Sequence, residues 1–320
     1  MEVQKAFVSL VTYIQEDSLE TLHHFMKKIL KPLAESFEHS ELIFVLDGHG
    51  VIDGTAITKL MDEEKIQITA EVVSLPYYQG IEAAMCAGDD LSIGDFVFEF
   101  DEIHVDYDLS VVEEVYQKAR SGYDVVSAGD DSMEWGSRVF YWLMNHRSAY
   151  EIRHESFRIV SRRALNRIKI LHNTVAYRKL LYASSGLPTA YVRYEKKETV
   201  AKRKKRSYNE KKYRRDAAMC YMMIFTEIME KFTAVLSAAF LLVTVGTGIW
   251  ALYDYLHQSS VESGWISLMG VISFGFFGVF LLISIMIKYM TILVDANYKK
   301  ASYVVEGVER INRGSYEEEA

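Results

Sequence analysis

Two long runs without a charged residue constrain the fold of this chain more than any other feature. Residues 232–253 and 263–287 contain no Asp, Glu, Lys or Arg. As helices with a rise of about 1.5 Å per residue, they would be roughly 33 and 38 Å long, enough to cross a hydrocarbon core of about 30 Å. The alternative is a pair of buried core helices, but soluble core helices rarely reach this length without a charge. The sequence therefore predicts two membrane-spanning helices.

Basic residues stand before the first run and after the second run, but not in the loop between them. The segment 202–215 carries nine Lys and Arg, Lys299 and Lys300 follow the second run, and the connecting loop 254–262 carries none. Since Lys and Arg concentrate in cytoplasmic segments, both ends of the hairpin are expected in the cytoplasm. The start of the chain shows no signal-peptide pattern. We expect a multi-pass membrane protein with both termini in the cytoplasm.

Charge is distributed unevenly along the chain. Residues 1–201 carry 21 Lys and Arg against 32 Asp and Glu, a net charge of −11, whereas residues 202–231 carry 10 against 4, a net charge of +6. The net negative charge of the first region argues against a nucleic-acid partner, because a phosphate backbone needs an excess of basic residues. The basic segment suits an anionic membrane surface. Cys86 and Cys220 lack metal-ligand spacing and are expected to be reduced thiols.

Short apolar runs alternate with amphipathic helical patterns from residue 7 onward. Strands are predicted at 7–12, 42–46, 66–73, 96–100 and 124–127, and helices after Asp17 and at 56–64, 80–89 and 109–121. This alternation predicts an α/β fold with a mostly parallel, doubly wound sheet, whose ligands bind beyond the carboxyl ends of the strands.

The predicted domains follow from these patterns. They are an α/β domain at 1–201, a basic juxtamembrane segment at 202–231, a two-helix transmembrane hairpin at 232–296 and a cytoplasmic tail at 297–320.

The predicted strand ends are acidic. The second strand ends at Asp47, followed by Gly48, and the fourth strand ends among Glu99, Asp101 and Glu102. Glu99 and Asp101 are two apart and share a face of a strand, while Asp101 and Glu102 diverge unless the strand ends between them. Clustered carboxylates are ligands for Mg²⁺ or Mn²⁺, which usually also bind substrate phosphates. The alternative is a solvated acidic loop.

Six motifs occur in a characteristic order. They are Leu-Asp-Gly at 46–48, the Gly-x-x-x-Ala helix at 80–88, the strand at 94–101, Gly-Tyr-Asp-Val-Val at 122–126, the Phe-Arg segment at 157–163 and Ser-Tyr-Asn at 207–209. In this order they resemble the family-2 glycosyltransferases with a GT-A fold, specifically the membrane-anchored polyprenyl-phosphate glycosyltransferases similar to GtrB-type enzymes and dolichyl-phosphate mannose synthase. The resemblance covers nearly the whole chain.

The resemblance implies a function. It implies a Rossmann-like GT-A domain that moves a sugar, with inversion, from a nucleotide sugar to a polyprenyl phosphate such as undecaprenyl phosphate for cell-surface glycan synthesis. A UDP-sugar is the default donor by analogy, Mg²⁺ or Mn²⁺ is the expected cofactor, and a homo-oligomer is expected. Glu16, Asp47 and Gly80 are then expected to bind the nucleotide sugar.

The family's Asp-x-Asp metal motif is only partly present. Asp101, expected to be catalytic, takes the position of the first Asp, and Ile103 takes that of the second. The metal pair is either Glu99 with Asp101, which we favour because the carboxylates share a face, or Asp101 with Glu102. The third possibility is weakened metal binding.

Two arginines are expected on the acceptor side. The family's arginine after the fifth strand has no counterpart, because Gly-Asp-Asp stands at 129–131. Arg138 and Arg158 are then expected to act in catalysis by holding the acceptor phosphate, since arginine is permanently charged and donates two parallel hydrogen bonds. The alternatives are a structural pair with Glu155 for Arg158 and a solvated helix face for Arg138.

Two other functions fit the same residues. A transferase that acts on a sugar hydroxyl of a lipid-linked glycan would need a general base such as Asp106 or Asp108. A catalytically silent nucleotide-sugar-binding membrane subunit would account for the missing second Asp.

Overall fold

The computed structural model describes residues 4–15, 18–130, 153–171, 178–197, 228–257, 265–298 and 303–311. These residues belong to two compact units, an α/β unit that includes the C-terminal strand and a unit that contains two long helices.

The α/β unit is built on an eight-stranded sheet. Its strands are β1 (Gln4–Ile14), β2 (Phe37–Asp47), β3 (Ala70–Leu75), β4 (Phe96–Phe100), β5 (Val125–Gly129), β6 (Phe157–Ser161), β7 (Thr189–Arg193) and β8 (Gly307–Ile311). The strand order is β7-β5-β6-β4-β1-β2-β3-β8, and only β6 and β8 pair antiparallel with their neighbours. The predicted α/β class with a mostly parallel sheet is confirmed.

Helices cover both faces of this sheet. They are α1 (Leu19–Phe25), continued by a π-helical turn (Met26–Leu30) and α2 (Lys31–Ala34), then α3 (Gly54–Glu63), α4 (Ile81–Leu91), α5 (Leu109–Arg120), α6 (Arg162–Leu171) and α7 (Arg178–Ser184). The Ser18 hydroxyl accepts from the Thr21 N–H and caps α1. The cap predicted at Asp17 lies outside the described residues.

Alternate residues of each strand enter two hydrophobic cores on opposite sides of the sheet. Phe98 and Phe100 of β4 lie in the larger core, whereas Val97 lies in the smaller one, beside Met85 of α4 and Leu165 of α6. Glu99 and Asp101 project to the same side as Val97, because they have the same parity along the strand. The two carboxylates therefore lie on the side of the sheet that α4 and α7 cover.

The second unit contains α8 (Ile228–His257) and α9 (Trp265–Tyr298). Their windows Lys231–Trp250 and Gly270–Met290 have mean hydropathies of 2.0 and 2.5, so both helices are long and apolar enough to cross a membrane. Gly278 of α9 lies directly against the ring of Phe240 of α8. The membrane crossing itself stays a prediction, and the basic segment 202–227 lies outside the described residues.

Candidate active site

Most strands end at one edge of the sheet. The strands β1 to β4 are mutually parallel, and β5 and β7 run in the same direction as β4, because β6 is antiparallel to both β4 and β5. Their carboxyl ends carry Gln15, Asp47, Asp101 and Asp130. This is the edge at which ligands of α/β sheets bind.

A pocket opens between the ends of β1 and β2. It is lined by Ile14, Gln15, the segment 46–52 and Tyr78. The glycines at positions 48 and 50 bring no side chains to this wall, so the backbone is accessible to a ligand at those two positions. The sequence-predicted donor residue Asp47 is therefore in a pocket, and Glu16 lies outside the described residues.

The Asp47 carboxylate ties this pocket to the turn before α4. It accepts hydrogen bonds from the Tyr13 hydroxyl at 2.9 Å, the Gln79 N–H at 2.7 Å and the Gly80 N–H at 2.9 Å. Burial raises the pKa of Asp47, and the three hydrogen bonds oppose that shift. Gly80, with φ of +92°, is the residue before α4, so its glycine is required by the backbone.

The carboxylates at the end of β4 are bound by arginine. Arg158 is the cross-strand partner of Glu99 in the β4–β6 pair. Its guanidinium donates to Glu99 at 2.6 Å, to Asp101 at 2.7 Å and to Glu155 at 2.8 Å, and its side chain is 1% exposed. The pair with Glu155, one of the two roles considered from the sequence, is thus present together with two further pairs.

A second buried arginine completes the network. Arg178, at the start of α7, donates to Glu99, to Asp101 at 2.7 Å and to Glu82 at 3.1 Å. Its backbone N–H also donates to Glu82, at 3.0 Å. The Tyr182 hydroxyl, one turn further along α7, donates to the remaining oxygen of Glu99. Sequence reasoning did not find Arg178, Glu82 or Tyr182, since no local pattern links residues this far apart in the chain.

These arginines set the protonation of the carboxylates around them. Burial opposes ionisation of Asp101, but the charges of Arg158 and Arg178 outweigh it and lower the Asp101 pKa. Asp89 of α4 has the opposite shift, because burial and the Glu99 charge raise its pKa well above the ordinary value. The pKa values of two neighbouring acids are thus shifted in opposite directions, that of Asp101 downward and that of Asp89 upward.

The same contacts decide which carboxylates fit a divalent cation. Glu99 is fully buried, and its oxygens accept hydrogen bonds from two arginines and a tyrosine, which a cation would have to displace. The pair of Glu99 with Asp101 therefore stays a prediction. Each oxygen of Asp101 accepts one arginine bond and keeps a second lone pair, and the side chain is 12% exposed. Ile103, at the position of the family's second Asp, is buried in the larger core.

Asp101 and the partly exposed Glu102 are left as candidate cation ligands. Within the described ranges, no three His, Cys, Asp or Glu side chains group closely enough to hold a metal alone. Two carboxylates still suit Mg²⁺, which commonly takes one or two carboxylates and completes its octahedron with water and substrate phosphates.

The loop after β4 is engaged with the end of β7. Asp106 accepts from the Tyr194 hydroxyl at 2.8 Å and lies 3.7 Å from the Lys196 ammonium. Asp108 pairs with Lys197, whose hydrogen bond and charge lower the pKa of Asp108. Arg138, the other predicted acceptor residue, lies outside the described residues.

Comparison with known proteins shows what the chain is similar to. No protein-family model matches the chain. An uncharacterized glycosyltransferase of Synechocystis sp. is 27% identical over 197 residues, which are 58% of this chain and 58% of that protein. The chain thus matches less than two thirds of this relative's length.

Solved structures of sugar-transferring enzymes resemble the chain more distantly. The mannosyltransferase PcManGT from Pyrobaculum calidifontis, in complex with GDP-Man and Mn²⁺, is 12% identical, with a TM-score of 0.49 over 93% of this chain and 88% of that chain. A glucosyl-3-phosphoglycerate synthase from Mycobacterium tuberculosis, in complex with Mn²⁺, UDP-glucose and phosphoglyceric acid, is 12% identical, with a TM-score of 0.44 over 68% and 79%. Neither likeness reaches a TM-score of 0.5.

Proposed function

We propose that the chain is a membrane-bound inverting glycosyltransferase of the GT-A type that moves a sugar from a nucleotide sugar to a polyprenyl phosphate such as undecaprenyl phosphate, for cell-surface glycan synthesis. One observation carries the proposal: the Asp47 pocket and the acidic end of β4 lie at the same edge of the sheet. The relative that is named a glycosyltransferase supports the reaction class.

The pocket between β1 and β2 is proposed as the nucleotide site, with a UDP-sugar as the default donor. The Asp47 carboxylate already accepts three hydrogen bonds from the protein. We therefore propose that Asp47 acts mainly by holding the pocket wall in place. Gly80 and Glu16 stay donor-side proposals.

Asp101 and Glu102 would hold Mg²⁺ or Mn²⁺ at the end of β4. When bound, the cation supplies positive charge for the leaving nucleoside diphosphate. Arg158 and Arg178 hold Asp101 in one orientation and keep it ionised. For Arg158 we propose this positioning role, because each of its bonds to a carboxylate would have to break before it could reach an acceptor phosphate.

The acceptor is proposed to be a phosphate because the candidate bases are already occupied. A phosphate oxygen is anionic at neutral pH and needs no strong base, whereas transfer to a sugar hydroxyl does. Asp106 is bound by Tyr194, and Asp108 by Lys197. Arg138 stays the proposed acceptor-binding arginine.

The order of elements along the chain suits a membrane hairpin. β7 precedes the two long helices and β8 follows them, yet both strands belong to one sheet. If the helices cross a membrane, the chain must cross an even number of times for both strands to reach that sheet. We propose a bacterial inner-membrane protein with the sheet in the cytoplasm, assembled as a homo-oligomer.

Transfer by the purified full-length protein tests this proposal. Radiolabelled UDP- and GDP-sugars are supplied with Mg²⁺ or Mn²⁺, with and without undecaprenyl phosphate, and the lipid fraction is counted. Label in the lipid only with polyprenyl phosphate supports the proposal. Label that appears only when a lipid-linked glycan is supplied identifies a hydroxyl acceptor instead. No label with any donor, despite nucleotide binding, identifies a silent subunit.

A further inference from the structure

The residues that follow the helix pair complete the edge of the α/β sheet. β8 pairs antiparallel with β3 over five residue pairs, from Ala70 with Ile311 to Ser74 with Gly307. Directly before β8, the Glu306 N–H donates to the Ser74 carbonyl at 2.8 Å. Residues 303–311, here named the C-terminal strap, therefore return to the sheet after more than one hundred residues.

The strap also bonds to the turn before α4 through one side chain. The Gln79 amide nitrogen donates to the Val304 carbonyl at 2.7 Å, and the Val304 N–H donates to the Gln79 amide oxygen at 2.8 Å. Two bonds from one planar amide fix its orientation, because both its donor and its acceptor are used on the same backbone residue.

Gln79 stands next to the nucleotide pocket. Its backbone N–H donates to one oxygen of Asp47 at 2.7 Å, and Asp47 lines the pocket. Gly48, with φ of +82°, passes so close to the turn that an added Cβ would lie 3.0 Å from the Tyr78 nitrogen. An unbroken series of contacts therefore leads from the strap through Gln79 to the pocket wall.

We infer that Gln79 is a positioning residue for donor binding and that the C-terminal strap is part of the donor-site structure. The strap holds the turn 77–80 against Asp47, and this fixes the segment 46–52 that lines the pocket. The inference rests on the proposed function in one respect, namely that the pocket takes a nucleoside diphosphate.

The two hydrogen bonds between Gln79 and Val304 can be tested from either residue, with Gln79→Ala or with Val304→Pro. Alanine removes the amide but keeps the backbone N–H that bonds Asp47, and proline removes only the strap's N–H donor. Tyr303→Phe is the matched control, because it removes the strap's hydrogen bond to Asp90, of 2.6 Å, and leaves the Gln79 bonds in place. Gln79→Glu keeps the size and the acceptor for the Val304 N–H but replaces the donor by a carboxylate oxygen that the Val304 carbonyl repels, so it should also weaken donor binding.

Titration of UDP and of GDP, each with Mg²⁺, into full-length protein in nanodiscs measures the effect. Each neutral hydrogen bond contributes about 0.5–1.5 kcal/mol, so loss of both should raise the Kd by roughly 5- to 150-fold in Gln79→Ala. Val304→Pro should raise it several-fold, and Tyr303→Phe less than twofold. In transfer assays the KM for the donor should rise while kcat changes little.

Hydrogen–deuterium exchange supplies a second readout that needs no ligand. In Gln79→Ala, the backbone N–H groups at positions 79 and 80 should exchange faster than in wild type, at an unchanged melting temperature. Unchanged exchange overturns the inference. An unchanged Kd in both Gln79→Ala and Val304→Pro also overturns it. If wild-type protein binds neither nucleotide, the proposed function fails, while the exchange rates still decide whether the strap holds the turn. If Gln79→Ala unfolds, Gln79→Glu and Val304→Pro give the same test.

Discussion

Arg178 and Asp101 form a hydrogen bond of 2.7 Å across 77 residues of sequence, joining the start of α7 to the end of β4. The same guanidinium also donates to Glu82 and Glu99, and Arg158 of β6 donates to Glu99 as well. The acidic end of β4 is therefore organised around two buried cations. Charge compensation inside the protein accounts for this concentration of carboxylates.

Replacement of Arg178 by Ala should destabilise the protein strongly. Removal of one partner from a buried ion pair costs about 3–5 kcal/mol, because it leaves the other charges uncompensated in a dry environment. Urea unfolding followed by circular dichroism measures the loss. Lys169→Ala is the control, since Lys169 and its partner Asp90 are both about 40% exposed and their pair should contribute little. Equal effects of the two substitutions would contradict the structural role of Arg178.

Asp89→Asn should gain stability relative to wild type as the pH rises. Burial and the Glu99 charge raise the folded-state pKa of Asp89, so the folded protein keeps a proton that the unfolded chain releases above about pH 4. Rising pH therefore lowers the stability of wild type at this site, and the neutral amide removes that dependence. Unfolding free energies from pH 4 to 8 measure the difference.

Asp89→Ala separates the charge from lost packing. Its unfolding free energy should depend on pH in the same way as that of Asp89→Asn, but should be lower by a constant amount because buried atoms have been removed. If the unfolding free energy of Asp89→Asn instead fell relative to that of wild type as the pH rises, the raised pKa would be contradicted.

The sequence predicted much of the sheet because apolar strands carry a local signal. β4 has the predicted bounds, Phe96–Phe100, and α5 ends within one residue of its prediction. β8 had no such signal, because four of its five residues are exposed and its sequence, Gly-Val-Glu-Arg-Ile, lacks an apolar run. Its pairing depends on β3, which lies more than 230 residues earlier in the chain.

At the candidate site, too, the sequence predicted a local feature but not the long-range contacts. The spacing of Glu99 and Asp101 predicted that they share a face, and both bond the same two arginines. That spacing could not reveal that Arg178 and Tyr182 would approach from α7. Partners brought together by tertiary packing have no periodicity in the sequence, so a local pattern identifies the carboxylates but not what neutralises them.

Gly48→Ala should impair donor binding, whereas Gly186→Ala should not. Both glycines have positive φ, +82° and +71°, where an alanine costs roughly 1–2 kcal/mol. Only Gly48 also lacks space, since its Cβ would press on Tyr78 at the pocket, while nothing lies within 4 Å of a Cβ at position 186. Melting temperature and the Kd for UDP separate the two effects. A similar Kd in both variants would exclude the close approach as a requirement for the pocket.

Glu99→Gln and Glu102→Gln should separate the structural carboxylate from the cation ligand. Glu99 is fully buried and neutralises Arg158 and Arg178, so Glu99→Gln should lower the melting temperature by several degrees and leave the affinity for Mn²⁺ little changed. Glu102 is partly exposed, so Glu102→Gln should change the melting temperature less than Glu99→Gln does and weaken Mn²⁺ binding about tenfold, the cost of roughly one charged ligand. Asp101→Asn should abolish transfer in protein that remains folded and membrane-bound. Electron paramagnetic resonance of Mn²⁺ with UDP present, measured beside thermal unfolding, distinguishes these outcomes. If Glu99→Gln instead lost Mn²⁺ at an unchanged melting temperature, Glu99 and Asp101 would be the metal pair, and the two arginines would have to move aside for the cation.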